Sequence, residues 1–178
     1  MEDGSWCRSG SRCEVCYIVA MRIYSAVLAF VVAIVGVASA QNKTPMTQHA
    51  KGPFDVKVVP QKPDSEVAQA ANFSRMTIDK IFHGDLDGTS KGEMIATQSE
   101  ATKSGGYVAL ERVTGTLNGR KGSFILQHSA TMTRGVPSLS ITVVPDSGTG
   151  ELEGLSGKLN IIFGEGGKHF YEFEYTLP

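Results

Sequence analysis

The chain has 178 residues, 17 of them basic and 18 acidic, for a net charge of −1. Without a basic excess or a basic stripe it carries no electrostatic footprint for nucleic acid. All three cysteines, Cys7, Cys13 and Cys16, fall in the first 20 residues, so the rest of the chain has to be held by packing and not by disulfides.

Residues 1–20 contain Glu2, Asp3 and Glu14, which the basic head of a secretory signal should lack. Translation is therefore expected to start at Met21, with 1–20 an extension outside the genuine protein. Cys13-x-x-Cys16 has the spacing of half a zinc site, but Cys7 is the one further thiol nearby and four ligands are needed. No metal or other cofactor is expected.

Residues 21–40 have the three parts of a signal peptide. Arg22 forms the basic head, an apolar run extends from Ala26 to Val37, and Ala38-Ser39-Ala40 supplies the small-x-small pattern that a signal peptidase needs. The run is short of the ~20 residues that span a bilayer. No Lys/Arg cluster follows it, and no Cys stands at the cleavage site, so neither a membrane helix nor a lipid anchor is expected to remain after cleavage. The protein is expected to be secreted or periplasmic.

Residues 41–52 are polar with little periodicity and read as a flexible leader. From Pro53 the dominant pattern is alternation at period two. Phe54, Val56 and Val58 form one row; Met76, Ile78 and Phe82 share a parity; Leu139, Ile141 and Val143, then Leu159, Ile161 and Phe163, then Phe173, Tyr175 and Leu177 form others. One apolar and one wet face is the signature of antiparallel sheet. Eight strands are predicted, at about 53–60, 73–84, 89–101, 105–117, 120–134, 137–146, 150–163 and 168–177, with a short helical turn over 65–72. Asp87-Gly88 and Asn118-Gly119 read as two-residue hairpin turns. Eight long strands with short connections close most simply on themselves, which removes both edges. The fold class is thus all-β: a closed antiparallel eight-stranded barrel over 53–178, with a sandwich as the alternative.

Three apparent motifs lack their context. Gly88-Thr89-Ser90-Lys91-Gly92 matches the nucleophile elbow of hydrolases, but that elbow needs a following helix and Met94-Ile95-Ala96 continues as strand. Asp146-Ser147-Gly148 matches half of an aspartic protease dyad, and a turn opened by Asp explains it. The glycines from Gly148 to Gly157 do not open a helix, so they suit a bend in a strand and not a phosphate cradle. His49, His83, His128 and His169 form no metal-binding spacing.

The stretch Tyr107–Met132 carries the candidate chemistry. If Asn118-Gly119 is a two-residue turn, Leu117 pairs with Arg120, Val113 with Phe124, Glu111 with Leu126 and Ala109 with His128. Tyr107, Glu111, Phe124, Leu126 and His128 then share the face richer in large apolar groups, taken as the interior. Glu111 and His128 become diagonal neighbours, ~7–8 Å apart at Cα. A carboxylate in an apolar interior is costly unless paired, and His128 is the partner at hand. A one-residue slip would instead place Arg112 and Gln127 inside.

Gly106–Leu117, Gly122–Ser129 and Val143–Leu152 together resemble the bacterial domain-of-unknown-function family 3224, over about Phe54 to Leu177. The resemblance implies a small barrel similar to allene oxide cyclases and dirigent proteins, and implies no reaction. The signal peptide is a departure not assumed for the whole family. Three functions fit these readings. One is a binding module, with Tyr107, Glu111, Phe124, Leu126 and His128 around a small, mainly apolar ligand. Another is an isomerase, cyclase or lyase with Glu111 and His128 as the catalytic candidates. The last is a structural barrel with a filled interior and an outer face used in a homo-oligomer.

The processing reading is tested by N-terminal sequencing of the exported protein. Gln41 is expected as the first residue, and a chain beginning at Met1 in the membrane fraction would overturn both cleavage and export.

Overall fold

The computed structural model describes residues 46–178, except 63, 64 and 72. The expected extension, signal peptide and cleavage site, and leader residues 41–45, lie outside the described residues. The elements are β1 (Gln48–Gln61), a helix α1 (Glu66–Ala71), β2 (Ser74–Phe82), β3 (Leu86–Ser99), β4 (Ser104–Leu117), β5 (Arg120–Thr133), β6 (Val136–Val143), a two-residue β7 (Thr149–Gly150), β8 (Ser156–Phe163) and β9 (His169–Thr176). Helix α1 answers the short turn expected over 65–72, with the Ser65 hydroxyl accepting a hydrogen bond from the Ala68 N–H at 3.1 Å.

The strand order is β4-β3-β2-β1-β9-β8-β6-β5, and β4 pairs with β5 to close the ring. Every pairing is antiparallel. The result is a closed eight-stranded antiparallel barrel. Its tightest hairpin is β4–β5. Asn118 (φ 46°) and Gly119 (φ 84°) both take the left-handed conformation that a two-residue turn matched to strand twist requires. The register is the one this turn dictates: Leu117 faces Arg120, Val113 faces Phe124, Glu111 faces Leu126 and Ala109 faces His128. The Asn118 amide also ties the turn across the barrel end, donating to Tyr175 Oη at 2.8 Å and to the His49 carbonyl at 3.2 Å.

Three boundaries differ from the sequence expectation. The leader is shorter, because β1 begins at Gln48 and pairs with β9 from Gln48–Tyr175 to Phe54–His169. This stretch hides its alternation: its inward positions are Ala50 and Gly52, and a Cβ on Gly52 would stand 1.9 Å from the His83 carbonyl. Asp87-Gly88 is not a turn. The chain reverses at residues 83–85, through Gly84 at φ 93°, and Gly88 lies inside β3 opposite Gly115. A side chain there would meet the Thr114 carbonyl at 2.4 Å, so the glycine serves close strand approach. The strand expected from 150 begins at Ser156. Gly150 (φ 63°) and Gly154 (φ 75°) break the chain into a turn that buries Leu152 and Leu155.

The two halves of the interior differ. Phe82, Leu86, Leu117, Phe124, Tyr171, Phe173 and Tyr175 are fully buried and fill one half. Their rings contact each other at centroid distances of 5.6 Å (Phe82–Tyr171), 5.8 Å (Phe124–Phe173) and 5.2 Å (Phe173–Tyr175), contacts worth roughly 0.5–1.5 kcal/mol each beyond area burial. Tyr171 Oη satisfies polar backbone at this end, accepting from the Leu86 N–H at 2.7 Å and donating to the His83 carbonyl at 3.0 Å. Toward the other end, large apolar side chains on inward-facing positions stay wet: Val58 is 45% exposed, Met132 43%, Leu139 38% and Phe163 74%. The wall is also thinnest near there, since β6 and β8 are joined at the single register pair Thr142–Lys158.

Candidate functional site: a buried polar cluster in the barrel

The inward row of β2 reads Met76, Ile78, Lys80, Phe82; across the ladder it meets Met94, Gly92, Ser90 and Gly88 of β3. The next strand places Ala109, Glu111 and Val113 beside Met94, Gly92 and Ser90, and β5 sets His128 opposite Ala109. These registers bring four polar side chains together in an apolar interior. The Glu111 side chain is 0% exposed. Its Oε2 lies 2.7 Å from Lys80 Nζ and 2.9 Å from His128 Nε2, and its Oε1 accepts a hydrogen bond from the Ser90 hydroxyl. Gly92 makes room, because a Cβ there would fall 2.6 Å from the Leu110 carbonyl and 3.0 Å from Glu111 Cα. Lys80 is buried and also faces two rings, with Nζ 5.3 Å from the Phe54 centroid and 5.7 Å from that of Phe82.

The contacts to Glu111 are not equivalent. His128 Nε2 is close to the carboxylate, yet it has no well-aligned hydrogen-bond partner among the described residues. A short approach with the N–H off line keeps the electrostatic attraction and loses directionality. Lys80 carries a full charge on a freely rotating ammonium, so it is the stronger partner. Burial pushes the Glu111 pKa up, but the His128 contact, the Lys80 charge and hydrogen bond, and the Ser90 hydrogen bond together bring it down to about 2. Lys80 and Glu111 cancel, which makes the burial of either charge tolerable.

The other sequence candidates take separate places. Tyr107 also points inward, one step toward the open end from Ala109, and is half-buried. Burial first, and the Glu111 charge second, raise its phenol pKa. Phe124 and Leu126 point inward as expected but are sealed in the packed half. Arg112 and Gln127 are on the outside, so the register did not slip. Lys80 and Ser90 are the members that sequence reasoning missed. The signal for Lys80 was a lysine on the apolar parity of Ile78 and Phe82. Ser90, in the apparent hydrolase motif, is a strand residue holding Glu111. Ser147, in the apparent protease motif, stabilises a turn by accepting from the Ile125 N–H at 3.0 Å and donating to the Val144 carbonyl at 2.7 Å.

An open depression of about 600 Å³ on the outer wall is lined by outward-facing Thr77, Asp79, Lys91, Glu93, Leu110 and Arg112. Glu111 also borders it, with its side chain fully removed from solvent. Among the described residues, no group of three His, Cys, Asp or Glu side chains converges as metal ligands would.

Fold and cluster together define a small antiparallel barrel whose filled half supports a buried Lys–Glu–Ser–His cluster below an apolar mouth. The family model described as protein of unknown function (DUF3224) matches residues 50–175, and the chain belongs to that family. It is similar to a crystal structure of a protein with unknown function from the DUF3224 family of Shewanella oneidensis MR-1. The two are 43% identical with a TM-score of 0.67, over 75% of this chain and 100% of that one. No curated protein matches the chain.

The pairing makes a prediction for stability. Lys80→Met alone leaves a buried carboxylate without its cation and should cost about 3–5 kcal/mol in urea unfolding. His128→Leu should cost less, about 1–3 kcal/mol. Adding Glu111→Gln to Lys80→Met should restore part of the loss, since no uncompensated charge remains. Because the folded Glu111 pKa lies below its ordinary 4.5, its contribution is complete above that pH and disappears as pH falls toward about 2. The wild type should lose about 3 kcal/mol more than Glu111→Gln over that window. Additive losses and parallel pH profiles would contradict the pairing.

Proposed function

We propose that this protein is a secreted or periplasmic binding module that holds a small, mainly apolar molecule in the open half of its barrel. The observation that carries the reading is the set of inward-facing apolar side chains left wet at one end: Val58, Met132, Leu139 and Phe163. Packing normally removes such surface from water, and a contiguous apolar concavity above a few polar groups is the usual form of a small-molecule site. An eight-stranded barrel is about wide enough for one such ligand. Tyr107 lines the approach, and Glu111 and His128 lie deeper. Phe124 and Leu126 support the floor from below.

The architecture is of the kind found in allene oxide cyclases and dirigent proteins, which is an analogy of fold and carries no reaction across. The lowered pKa of Glu111 favours binding over catalysis. A general base works best when poised near the operating pH, and a carboxylate tied to Lys80 and titrating at about 2 is a weak one. Its better role is to fix the floor of the site.

Binding is tested with N-phenyl-1-naphthylamine, an uncharged apolar fluorophore. Saturable 1:1 fluorescence enhancement is expected. Ala130→Trp, which puts a bulky ring on an inward position beside Tyr107, should weaken it at least tenfold while leaving the urea midpoint near wild type. Absence of saturable binding, or equal binding by Ala130→Trp, would overturn the reading.

A further inference from the structure

The polar groups facing the open half restrict which molecules it accepts. Among the described residues Lys80 is the cation that faces the lumen, and it is already engaged with Glu111 at 2.7 Å. A charged ligand head would therefore shed its water without finding a free counter-charge, a cost that a neutral group avoids. Two polar groups remain for a ligand toward the mouth, the Tyr107 hydroxyl and the His169 ring, which packs against Phe54 and Phe163 at the rim. The Tyr107 hydroxyl is half-buried, inward-facing and without a hydrogen-bond partner among the described residues. His128 Nε2 is buried 2.9 Å from the Glu111 carboxylate and belongs to that cluster, so it is not free for a ligand. The neighbouring side chains, Met76, Met94, Ala96 and Ala130, offer no competing charge.

Resting on the binding reading above, we infer that the ligand class is an uncharged apolar molecule bearing one oxygen acceptor, a ketone, ester or ether, with Tyr107 as the residue that donates to it. The phenol keeps its proton well into alkaline conditions, because burial and the Glu111 charge both oppose ionisation. It therefore acts as a standing donor. A carboxylate beside Tyr107 would find no free cation, because Lys80 is held by Glu111, and this separates the site from one built for fatty acids. Next to Tyr107 a hydrocarbon of equal size would fill the space but leave the hydroxyl unpaired, and selectivity arises from that difference.

The test titrates the full chain with three molecules of matched size: 2-acetylnaphthalene (neutral acceptor), 2-naphthoate (anion) and 2-ethylnaphthalene (no acceptor). The ketone is expected to bind about tenfold more tightly than either of the others. Tyr107→Phe should remove that advantage over 2-ethylnaphthalene while leaving the 2-ethylnaphthalene Kd within twofold, a pattern that a merely structural role would not produce. Naphthoate binding as tightly as the ketone, or a ketone preference that survives Tyr107→Phe, overturns the assignment of ligand class. Equal binding of ketone and 2-ethylnaphthalene by the wild type also overturns it, while leaving the apolar pocket standing. Failure of all three to bind overturns the pocket and the ligand class together.

Discussion

A single carboxylate, that of Glu111, sets the terms for this barrel. It is wholly removed from water inside an apolar interior, where an unpaired charge would cost several kcal/mol. Its tolerance depends on Lys80 reaching it from two strands away, on the Ser90 hydroxyl from the strand between, and on His128 from the strand beyond. Four adjacent strands, β2 to β5, each contribute one of these side chains. A slip of one residue in any of the three ladders would turn one partner out to solvent, since side chains alternate between faces. The cluster therefore selects register as well as contributing stability. The turn at Asn118-Gly119 and the glycine at position 92 are the backbone conditions for it.

The cluster lies where the filled half of the interior gives way to the open half. Phe54 and Phe82 face Lys80, and Leu126 sits directly across the ladder from Glu111. Toward the mouth the inward positions of β2 to β5 include the small Ala96, Ala109 and Ala130 and the flexible Met76 and Met94, around Tyr107. Small residues leave space and methionines adapt to what enters it. A stiff, aromatic-packed base with an adaptable apolar opening separates the work of folding from the work of recognition.

Much of the barrel is legible because β-sheet writes its two faces directly into the sequence. Asn118-Gly119 is readable to the residue, since two consecutive left-handed positions leave few alternatives, and the register it dictates is enough to bring Glu111 beside His128. Lys80 is hidden because the row Met76, Ile78, Phe82 reads as apolar with a gap, and a lone lysine on a strand is normally solvated. Its partner comes from a strand about thirty residues later, a relation that no local pattern encodes. Ser90 falls in a five-residue match to an enzyme motif, and the absence of a following helix discounts the residue along with the motif. Asp87-Gly88 looks like a turn for the right stereochemical reason, but Gly84 takes the positive φ and Gly88 instead lets two strands approach. The first residues of β1 are unreadable because Ala50 and Gly52 occupy its inward positions, too small to show an apolar row.

Whether Glu111 is an anion held inside the barrel by Lys80 can be measured directly. The experiment is a pH titration of the Glu111 side-chain carboxyl carbon by NMR, in the wild type and in Lys80→Met. A titration near 2 is expected in the wild type, with a clear upward displacement once the lysine is gone. A wild-type carboxyl titrating at the ordinary value of a solvated glutamate, unchanged by Lys80→Met, would contradict it.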